Sequence, residues 1–233
     1  PLMQSLRAGY SALVLGASGA IGQAFVTLLQ SDPRCASVTA LSRSSQPGFD
    51  LGDPASLERL ALALADAGKF QLVIDATGAL TLNGRGPEKR LDELDAQALQ
   101  DAMSVNAIGP ALLLRHFSPL LDRQRAVLAM LSAKVGSIGD NRLGGWYSYR
   151  ASKAALNMLV KTASIEVART HPQAVLVALH PGTVNSALSA PFNGAEIGRP
   201  AADAAGDMLR VLDGLPAEQT GSFHAYSGEP LPW

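Results

Sequence analysis

A short apolar segment, a glycine-rich turn and an amphipathic pattern follow one another near the start of the chain. Residues 11–15 (SALVL) have the length and composition of a buried strand. The turn Gly16-Ala17-Ser18-Gly19-Ala20-Ile21-Gly22 comes next, and apolar residues then recur at helical spacing until Ser31-Asp32-Pro33. Glycines also make ordinary turns. In this order, however, the three elements predict a dinucleotide site, because glycine lets the backbone approach a pyrophosphate and the helix N-terminus supplies amide donors.

Apolar segments and helical patterns alternate along the rest of the chain. Further strands are predicted at 36–41, 70–76, 126–131, 174–179 and 221–225. Helices are predicted after Asp53-Pro54 and over 94–121, 148–170 and 201–212, with Pro110 as a candidate kink. The alternation predicts an α/β fold, a Rossmann-like doubly wound parallel sheet with helices on both faces. We expect a single domain over 1–233, with a mobile substrate loop at about 185–199 that has no helical period.

Composition argues against several classes of protein. The chain is 47% hydrophobic with a net charge of −1, and it has no basic block, so nucleic acid is not an expected partner. No apolar run approaches the ~18 residues that span a bilayer. A single cysteine, Cys35, excludes a disulfide within the chain, and four scattered histidines make no metal cluster. With no signal-peptide pattern, we expect a cytoplasmic protein that uses no metal and no membrane.

The segment 132–153 ends in Tyr149-Arg150-Ala151-Ser152-Lys153, which is a candidate for proton transfer. If the following helix includes Tyr149, the phenol and the Lys153 ammonium lie one turn apart on one face. An ammonium ~4 Å away is worth ~4 kcal/mol at an effective dielectric of ~20. That interaction predicts a Tyr149 pKa lowered by ~3 units from ~10, toward operating pH. Ser132 can hold a substrate carbonyl against the phenol, although a lone Tyr-x-x-x-Lys also occurs by chance as a surface pair.

Arg43 stands at the end of the second predicted strand, within Ser42-Arg43-Ser44. An acidic residue here would bind a ribose 2′-hydroxyl, whereas a guanidinium pairs with a 2′-phosphate. The sequence therefore favours NADP(H) over NAD(H); the alternative is a solvent-exposed loop arginine. Asp50 has two interpretations of equal weight, a contact to the adenine amino group or a turn aspartate.

These pieces together resemble the short-chain dehydrogenase/reductase family over essentially the whole chain. The matching motifs are Gly16-x-x-Gly19-x-x-Gly22 after the first strand, Asn106 in the fourth helix, Ser132, Tyr149-x-x-x-Lys153, and Pro181-Gly182 after the sixth strand. Segments 132–158 and 228–233 resemble the C-factor-like branch, which contains proteins discussed as carbonyl reductases and as signalling factors. The glycine spacing departs from the commoner Gly-x-x-x-Gly-x-Gly. The gap before Tyr149 is also longer than is typical, which makes Ser137 a rival to Ser132.

The resemblance implies a role for each matching position. Tyr149 would exchange a proton with the substrate oxygen, Lys153 would lower the Tyr149 pKa and bind the nicotinamide ribose, and Ser132 would orient the substrate. Asn106 would hold a water beside Lys153. For the cofactor, the resemblance implies that the phosphates contact Gly16, Ser18 and Ile21, with Gly19, Ala20 and Gly22 in the same turn, and that the 2′-phosphate contacts Arg43. The adenine would contact Asp50 and Leu51, and the adenosine ribose would contact Ala76, Thr77 and Gly78. The nicotinamide would contact Pro181, Gly182, Thr183 and Val184.

Three functions fit the sequence. The first is an NADP(H)-dependent oxidoreductase that reduces a carbonyl or oxidises the corresponding alcohol. The second is a nucleotide-binding regulatory or signalling protein of C-factor type with vestigial turnover, and the third is an epimerase-like Rossmann enzyme. Trp146 and Phe192 suggest an apolar or aromatic substrate, unless they only pack locally. The resemblance further implies a homodimer or homotetramer packed through the helices predicted at 94–121 and 148–170.

Overall fold

The fold is a six-stranded parallel sheet with strand order β2-β1-β3-β4-β5-β6. It is taken from a computed structural model that describes residues 1–78, 80, 82–184, 189–192 and 194–233. The strands are β1 Tyr10–Leu15, β2 Cys35–Leu41, β3 Leu72–Asp75, β4 Ala126–Leu131, β5 Ala174–His180 and β6 Ser222–Ala225. The predicted α/β class and the parallel sheet are confirmed.

Seven α-helices connect or flank these strands within the described residues. They are α1 Ala20–Gln30, α2 Pro54–Ala65, α3 Ala96–Met103, α4 Gly109–Phe117, α5 Tyr147–Val167, α6 Gly194–Ile197 and α7 Ala201–Gly214. The helix α2 begins as its sequence predicts, because Asp53 accepts a hydrogen bond from the Ala55 amide and Pro54 occupies the first turn. None of the helices in the described ranges combines the length and the apolar composition that a membrane span requires.

Helices cover both faces of the sheet, as predicted. The central strands β3, β4 and β5 are buried on both faces, which explains their continuous apolar sequences. One core lies against α2, α4 and α5, and the other lies against α1 and α7. The first core includes Leu57, Leu60, Leu113, Phe117, Leu156 and Val160, and the second includes Phe25, Leu29, Met208, Leu209 and Leu212.

Four local predictions were wrong in detail. The helical region after residue 94 is interrupted by a π-helical turn at Ser104–Ile108, before Pro110, which lies in the first turn of α4. Asn106 lies in that turn rather than in a fourth α-helix. The strand predicted at 70–76 is shorter because only 72–75 pair continuously with both neighbours. Pro181 follows the fifth strand, not a sixth.

The predicted loop at 185–199 contains helical structure where it is described. Ala190–Phe192 form a 3-10 turn, and α6 begins at Gly194. The Gly194 and Phe192 amides both donate to the Ser189 carbonyl, so short-range hydrogen bonds organise this segment without a helical apolar period. Residues 185–188 and 193 lie outside the described residues, and the mobility of the loop stays a prediction.

Candidate active site

The glycine turn after β1 brings two backbone segments into close contact. Gly16 has a φ of +82°, and a Cβ there would lie 2.9 Å from the Ala76 carbonyl carbon. A Cβ on Gly22 would lie only 2.1 Å from the Gly16 carbonyl oxygen. A side chain at either position would therefore force the turn, β3 and α1 apart.

The N-terminus of α1 opens toward this turn. Gly19 is its N-cap, no side chain of a described residue caps it, and its first turn contains no acidic residue. The amides of the first turn and the positive end of the helix dipole are thus available to an anion. This cradle fits a dinucleotide pyrophosphate. Ser18 lies exposed in the same turn, where the sequence places it.

Arg43 and Asp50 lie near the carboxyl end of β2. Both are exposed, and Arg43 makes no ion pair with any described residue. The Asp50 carboxylate accepts a hydrogen bond from the Gly52 amide at 2.8 Å, which is the turn role that the sequence left open. Leu51 is half-buried and packs on the core beside Gly109.

A cavity of about 340 Å³ lies at the carboxyl ends of the central strands. Its described lining residues are Ile21, Ala76, Thr77, Gly78, Leu80, Leu131, Ser132, Ala133, Val135, Trp146, Tyr149, Lys153, His180, Pro181, Gly182, Thr183, Val184, Ser189 and Phe192. Three of the four predicted catalytic residues, Ser132, Tyr149 and Lys153, therefore line the same cavity. Seven of the predicted cofactor contacts, at positions 76–78 and 181–184, line it as well. Of the predicted phosphate contacts, Ile21 reaches the same cavity.

Tyr149 and Lys153 face the cavity from the first two turns of α5. The helix begins at Tyr147, so the predicted one-turn spacing is confirmed, and the Lys153 Nζ lies 5.8 Å from the Tyr149 ring centroid. Nζ also donates to the Leu131 carbonyl at 3.3 Å. The negative charge of the buried Asp75 carboxylate favours the charged form of Lys153.

The predicted lowering of the Tyr149 pKa was wrong. Burial raises the pKa of Tyr149 to about 12, because the phenolate would lose its hydration. Burial also lowers the pKa of Lys153 to about 8, against the attraction of Asp75. The error came from treating the pair at a fixed distance and dielectric, whereas removal of both groups from water dominates here.

Asn106 reaches the site from the π-helical turn. Its side chain is fully buried, and its Nδ2 donates to the Ser152 hydroxyl at 3.2 Å. A Cβ on Gly78 would lie 3.3 Å from Asn106 Oδ1 and 3.2 Å from Lys153 Nζ, so Asn106 contacts two residues of the cavity wall from behind. A π turn widens the helix by one residue and re-aims the side chains in it.

Ser132 lines the cavity, and Ser137 does not. The Ser137 hydroxyl donates to the Trp233 carbonyl and accepts from the Asp140 amide, so it joins Trp233 to the loop that contains Asp140. Ser132 follows β4 directly, and its amide donates to the Leu179 carbonyl at 2.7 Å. The geometry favours Ser132 of the two candidates.

Trp146 and Phe192 form an aromatic wall with Tyr149. The Trp146 ring centroid lies 6.1 Å from that of Tyr149 and 5.5 Å from that of Phe192. Trp146 has a φ of +57°, which is a costly conformation for a bulky residue. The Arg150 guanidinium maintains it by donating to the carbonyls of Gly144 and Gly145.

Sequence reasoning missed Glu88, which caps the helix that carries Tyr149. The buried Glu88 carboxylate accepts hydrogen bonds from both the amide and the hydroxyl of Ser148, and its carbonyl accepts from the Trp146 amide. A carboxylate at a helix N-terminus is stabilised by the unpaired amides and the helix dipole. Glu88 lies in an irregular polar segment about 60 residues away in the sequence, and no local pattern connects the two.

Comparison with known proteins agrees with this geometry. A family model described as short chain dehydrogenase matches residues 10–196. The chain therefore belongs to the short-chain dehydrogenase/reductase family, and it is an oxidoreductase of that class. The family that the sequence motifs indicated is confirmed.

Two curated relatives illustrate the range of this family. The chain is 31% identical over 199 residues, 85% of this chain and 84% of the relative, to the 1-hydroxy-2-glutathionyl-2-methyl-3-butene dehydrogenase of Rhodococcus sp. (strain AD45). It is 38% identical over 146 residues, 61% of this chain and 83% of the relative, to the C-signal of Myxococcus xanthus. The second match supplies the expected C-factor-like relative.

Solved structures share the fold over almost the whole chain. The NADPH-bound carbonyl reductase from chicken fatty liver has a TM-score of 0.81 at 28% identity, covering 98% of this chain and 100% of that one. The carbonyl reductase Sniffer of D. melanogaster has a TM-score of 0.82 at 23% identity, covering 96% and 99%, and supports the fold alone. The family and the NADPH-bound neighbour together support a nicotinamide cofactor.

Proposed function

We propose that this protein is an NADP(H)-dependent reductase that converts a small carbonyl compound into the alcohol, or catalyses the reverse oxidation. One observation carries the proposal: Tyr149, Lys153 and Ser132 line a single cavity with Pro181–Val184, at the edge where the glycine turn opens. A nicotinamide cofactor held by these residues would supply the hydride for the carbonyl carbon in reduction. The chain's own residues orient the substrate and supply the proton.

Tyr149 is the proton donor in this proposal. Because burial raises its pKa to about 12, the phenol holds its proton throughout the neutral range, which suits a donor to a developing alkoxide. Ser132 hydrogen-bonds the substrate oxygen, and Lys153 binds the nicotinamide ribose beside Tyr149. Asn106, which meets Lys153 behind Gly78, holds a water in contact with the ammonium.

Binding of the cofactor is assigned to the edge formed by the carboxyl ends of β1, β2, β3 and β5. The turn 16–22 cradles the phosphates, residues 76–78 contact the adenosine ribose, and residues 181–184 contact the nicotinamide. The exposed Arg43, without an acidic partner among the described residues, binds the 2′-phosphate and gives NADP(H) preference over NAD(H). Asp50 and Leu51 contact the adenine.

The substrate is an apolar carbonyl compound in this proposal. Within the described lining, Lys153 is the side chain that bears a charge at neutral pH, and Leu80, Val135, Trp146 and Phe192 surround the remaining space. An aromatic wall beside the proton donor favours a planar apolar group on the carbonyl. Such a reductase would act in the cytoplasm, as a homodimer or homotetramer of the kind that the family resemblance implies.

A nucleotide-binding signalling protein is the second candidate, supported by the similarity to the C-signal. A regulator that only binds the nucleotide has no need of a buried Tyr149, Lys153 and Ser132 around a substrate-sized cavity. The site therefore favours the enzyme.

The deciding experiment follows NADPH fluorescence and oxidation together, with a panel of aldehydes and ketones, for the wild type and Tyr149→Phe. We expect both proteins to bind NADPH and only the wild type to turn over a carbonyl. Equal NADPH binding with no turnover of any substrate in either direction would favour the signalling candidate. Failure of both proteins to bind a nicotinamide cofactor would overturn the proposal at the glycine turn and Arg43.

A further inference from the structure

Three polar side chains lie at four-residue spacing on the buried face of α5. Tyr149 and Lys153 are the first two, and Asn157 is the third, with only 3% of its surface exposed. Asn157 lies behind the cavity rather than in its described lining, and its contact there is with Ser132. A buried amide costs free energy unless it is hydrogen-bonded, so its position calls for a physical reason.

The hydrogen bond between Ser132 and Asn157 occupies the one proton of the Ser132 hydroxyl and leaves the Asn157 Nδ2 without a partner among the described residues. The Ser132 hydroxyl donates its one proton to Asn157 Oδ1 at 2.7 Å, so in this arrangement it has none to give to a substrate oxygen. Within the described part of the chain, the buried Nδ2 of Asn157 has no hydrogen-bond partner. An unpaired buried amide N–H group is more costly than an under-used carbonyl oxygen.

Rotation of the Asn157 amide by 180° resolves both problems. It exchanges Oδ1 and Nδ2 with almost no change in shape. Nδ2 then donates to the Ser132 oxygen, and the Ser132 proton turns toward the cavity. The Ser132 main chain need not move, because its amide stays bonded to the Leu179 carbonyl.

We propose that Asn157 is a positioning residue that directs the Ser132 hydroxyl. By donating from Nδ2 to the Ser132 oxygen, it makes Ser132 a donor to the carbonyl oxygen of the substrate, beside the proton of Tyr149. This inference rests on the proposed carbonyl reduction, and it assigns to Asn157 a role that acts through Ser132 without contact to the substrate.

Two substitutions separate this role from simple packing. In Asn157→Asp the ionised carboxylate can only accept, so it holds the Ser132 proton away from the substrate, whereas the protonated carboxyl can donate as the amide does. Burial favours protonation of a carboxyl group. In Asn157→Leu the side chain keeps a similar volume but neither donates nor accepts. Ser164→Ala is the matched control, because Ser164 is buried two turns further along α5 and its hydroxyl bonds only the Lys161 carbonyl among described groups.

The experiment measures kcat and KM with NADPH and the best carbonyl substrate between pH 6 and pH 8, together with thermal unfolding of each cofactor-free variant. Every variant shares the titrations of Lys153, Tyr149 and Asp75 with the wild type. The kcat of a variant divided by the kcat of the wild type at the same pH therefore isolates the effect of position 157. We expect Asn157→Asp to lower kcat about 10- to 100-fold at pH 8 with little change in KM, and to recover toward the wild type at pH 6. Asn157→Leu should lower kcat by as much as Ser132→Ala, and the double variant should lose no more than Ser132→Ala alone.

Four other results would each overturn either the role of Asn157 or the proposed carbonyl reduction. Additive losses in the double variant, or an Asn157→Asp defect that does not change with pH, would make Asn157 a packing residue. Wild-type kcat in both Asn157 variants would also overturn the inference. Ser164→Ala should lower the melting temperature without changing kcat. A wild type that binds NADPH but turns over no carbonyl would overturn the proposed function, and this inference with it, before any variant is compared.

Discussion

The Lys153 ammonium lies 5.8 Å from the centroid of the Tyr149 ring, and both side chains are buried in α5. Burial changes the pKa values of the two groups in opposite directions, raising that of Tyr149 and lowering that of Lys153. Both changes favour the neutral side chain, and each has a measurable consequence for stability.

The first prediction concerns the pH dependence of unfolding. The pKa of Lys153 is about 8 in the folded chain against 10.5 for an ordinary lysine, so above pH 8 the unfolded chain binds more protons than the folded one. The free energy of unfolding of the wild type should therefore rise by about 2 kcal/mol, relative to Lys153→Met, between pH 8 and pH 10. Denaturant titration of the cofactor-free proteins measures this difference. Lys161→Met, on the exposed face of α5, should follow the wild type, and a constant gap between wild type and Lys153→Met would contradict the prediction.

The second prediction concerns Arg43 and the choice of cofactor. Arg43→Ala removes the exposed guanidinium assigned to the 2′-phosphate, and a hydrogen bond to a charged group is worth about 1.5–3 kcal/mol. We expect the Kd for NADPH to increase roughly 10- to 100-fold in a fluorescence titration, with the Kd for NADH unchanged. Arg59→Ala, another exposed arginine, should change neither Kd. An equal loss for both cofactors would show that Arg43 has no preference for the 2′-phosphate.

The third prediction concerns the cap that Glu88 provides to α5. Burial raises the pKa of Glu88, but the hydrogen bonds from Ser148 outweigh it and hold the pKa below the ordinary 4.5. Glu88→Gln should lower the free energy of unfolding by about 1–2 kcal/mol at pH 7. Because a lowered carboxyl pKa stabilises fully above the unfolded value and loses its effect as the pH falls through the folded value, this difference should shrink progressively below about pH 4.5. The exposed Glu218→Gln is the control, and a defect that persists unchanged at acid pH would argue against the cap.

The fourth prediction concerns the aromatic wall. Trp146→Gly removes the indole and also the cost of a positive φ on a bulky residue. We expect KM for an aromatic aldehyde to increase about 10-fold, since burying an aromatic contact is worth on the order of 1.5 kcal/mol, while KM for a small aliphatic aldehyde stays the same. The melting temperature should not fall. Tyr147→Ala tests an exposed neighbouring ring that does not line the cavity, and equal KM changes for both aldehydes would exclude a stacking role for Trp146.

The fifth prediction concerns assembly through the outer face of α5. Ala151, Met158 and Ile165 recur there at seven-residue spacing, and Met158 is 66% exposed. If the chain forms the proposed homo-oligomer through this face, Met158→Glu should reduce its mass by light scattering to that of a smaller species. Leu62→Glu on α2, at 67% exposure, is the matched control and should keep the oligomer. A wild type of monomer mass would refute the assembly.

Local sequence patterns were sufficient for the class of fold and for much of the candidate site. The strand and helix of 11–30 follow from an apolar run, glycines and a helical period, all of which act between near neighbours. The spacing of Tyr149 and Lys153 likewise follows from helix geometry alone. Parallel strands end at one edge, so the segments after β1, β3, β4 and β5 had to converge there.

The remaining features depend on contacts between distant segments. Glu88 caps α5 from an irregular segment and accepts a hydrogen bond from the Trp146 amide, and Asn157 meets Ser132 across the gap between α5 and β4. No pattern of neighbouring residues encodes these contacts, because each forms only when packing brings its partners together. The pKa of Tyr149 belongs with them, since it depends on how completely the folded chain excludes water from the phenol.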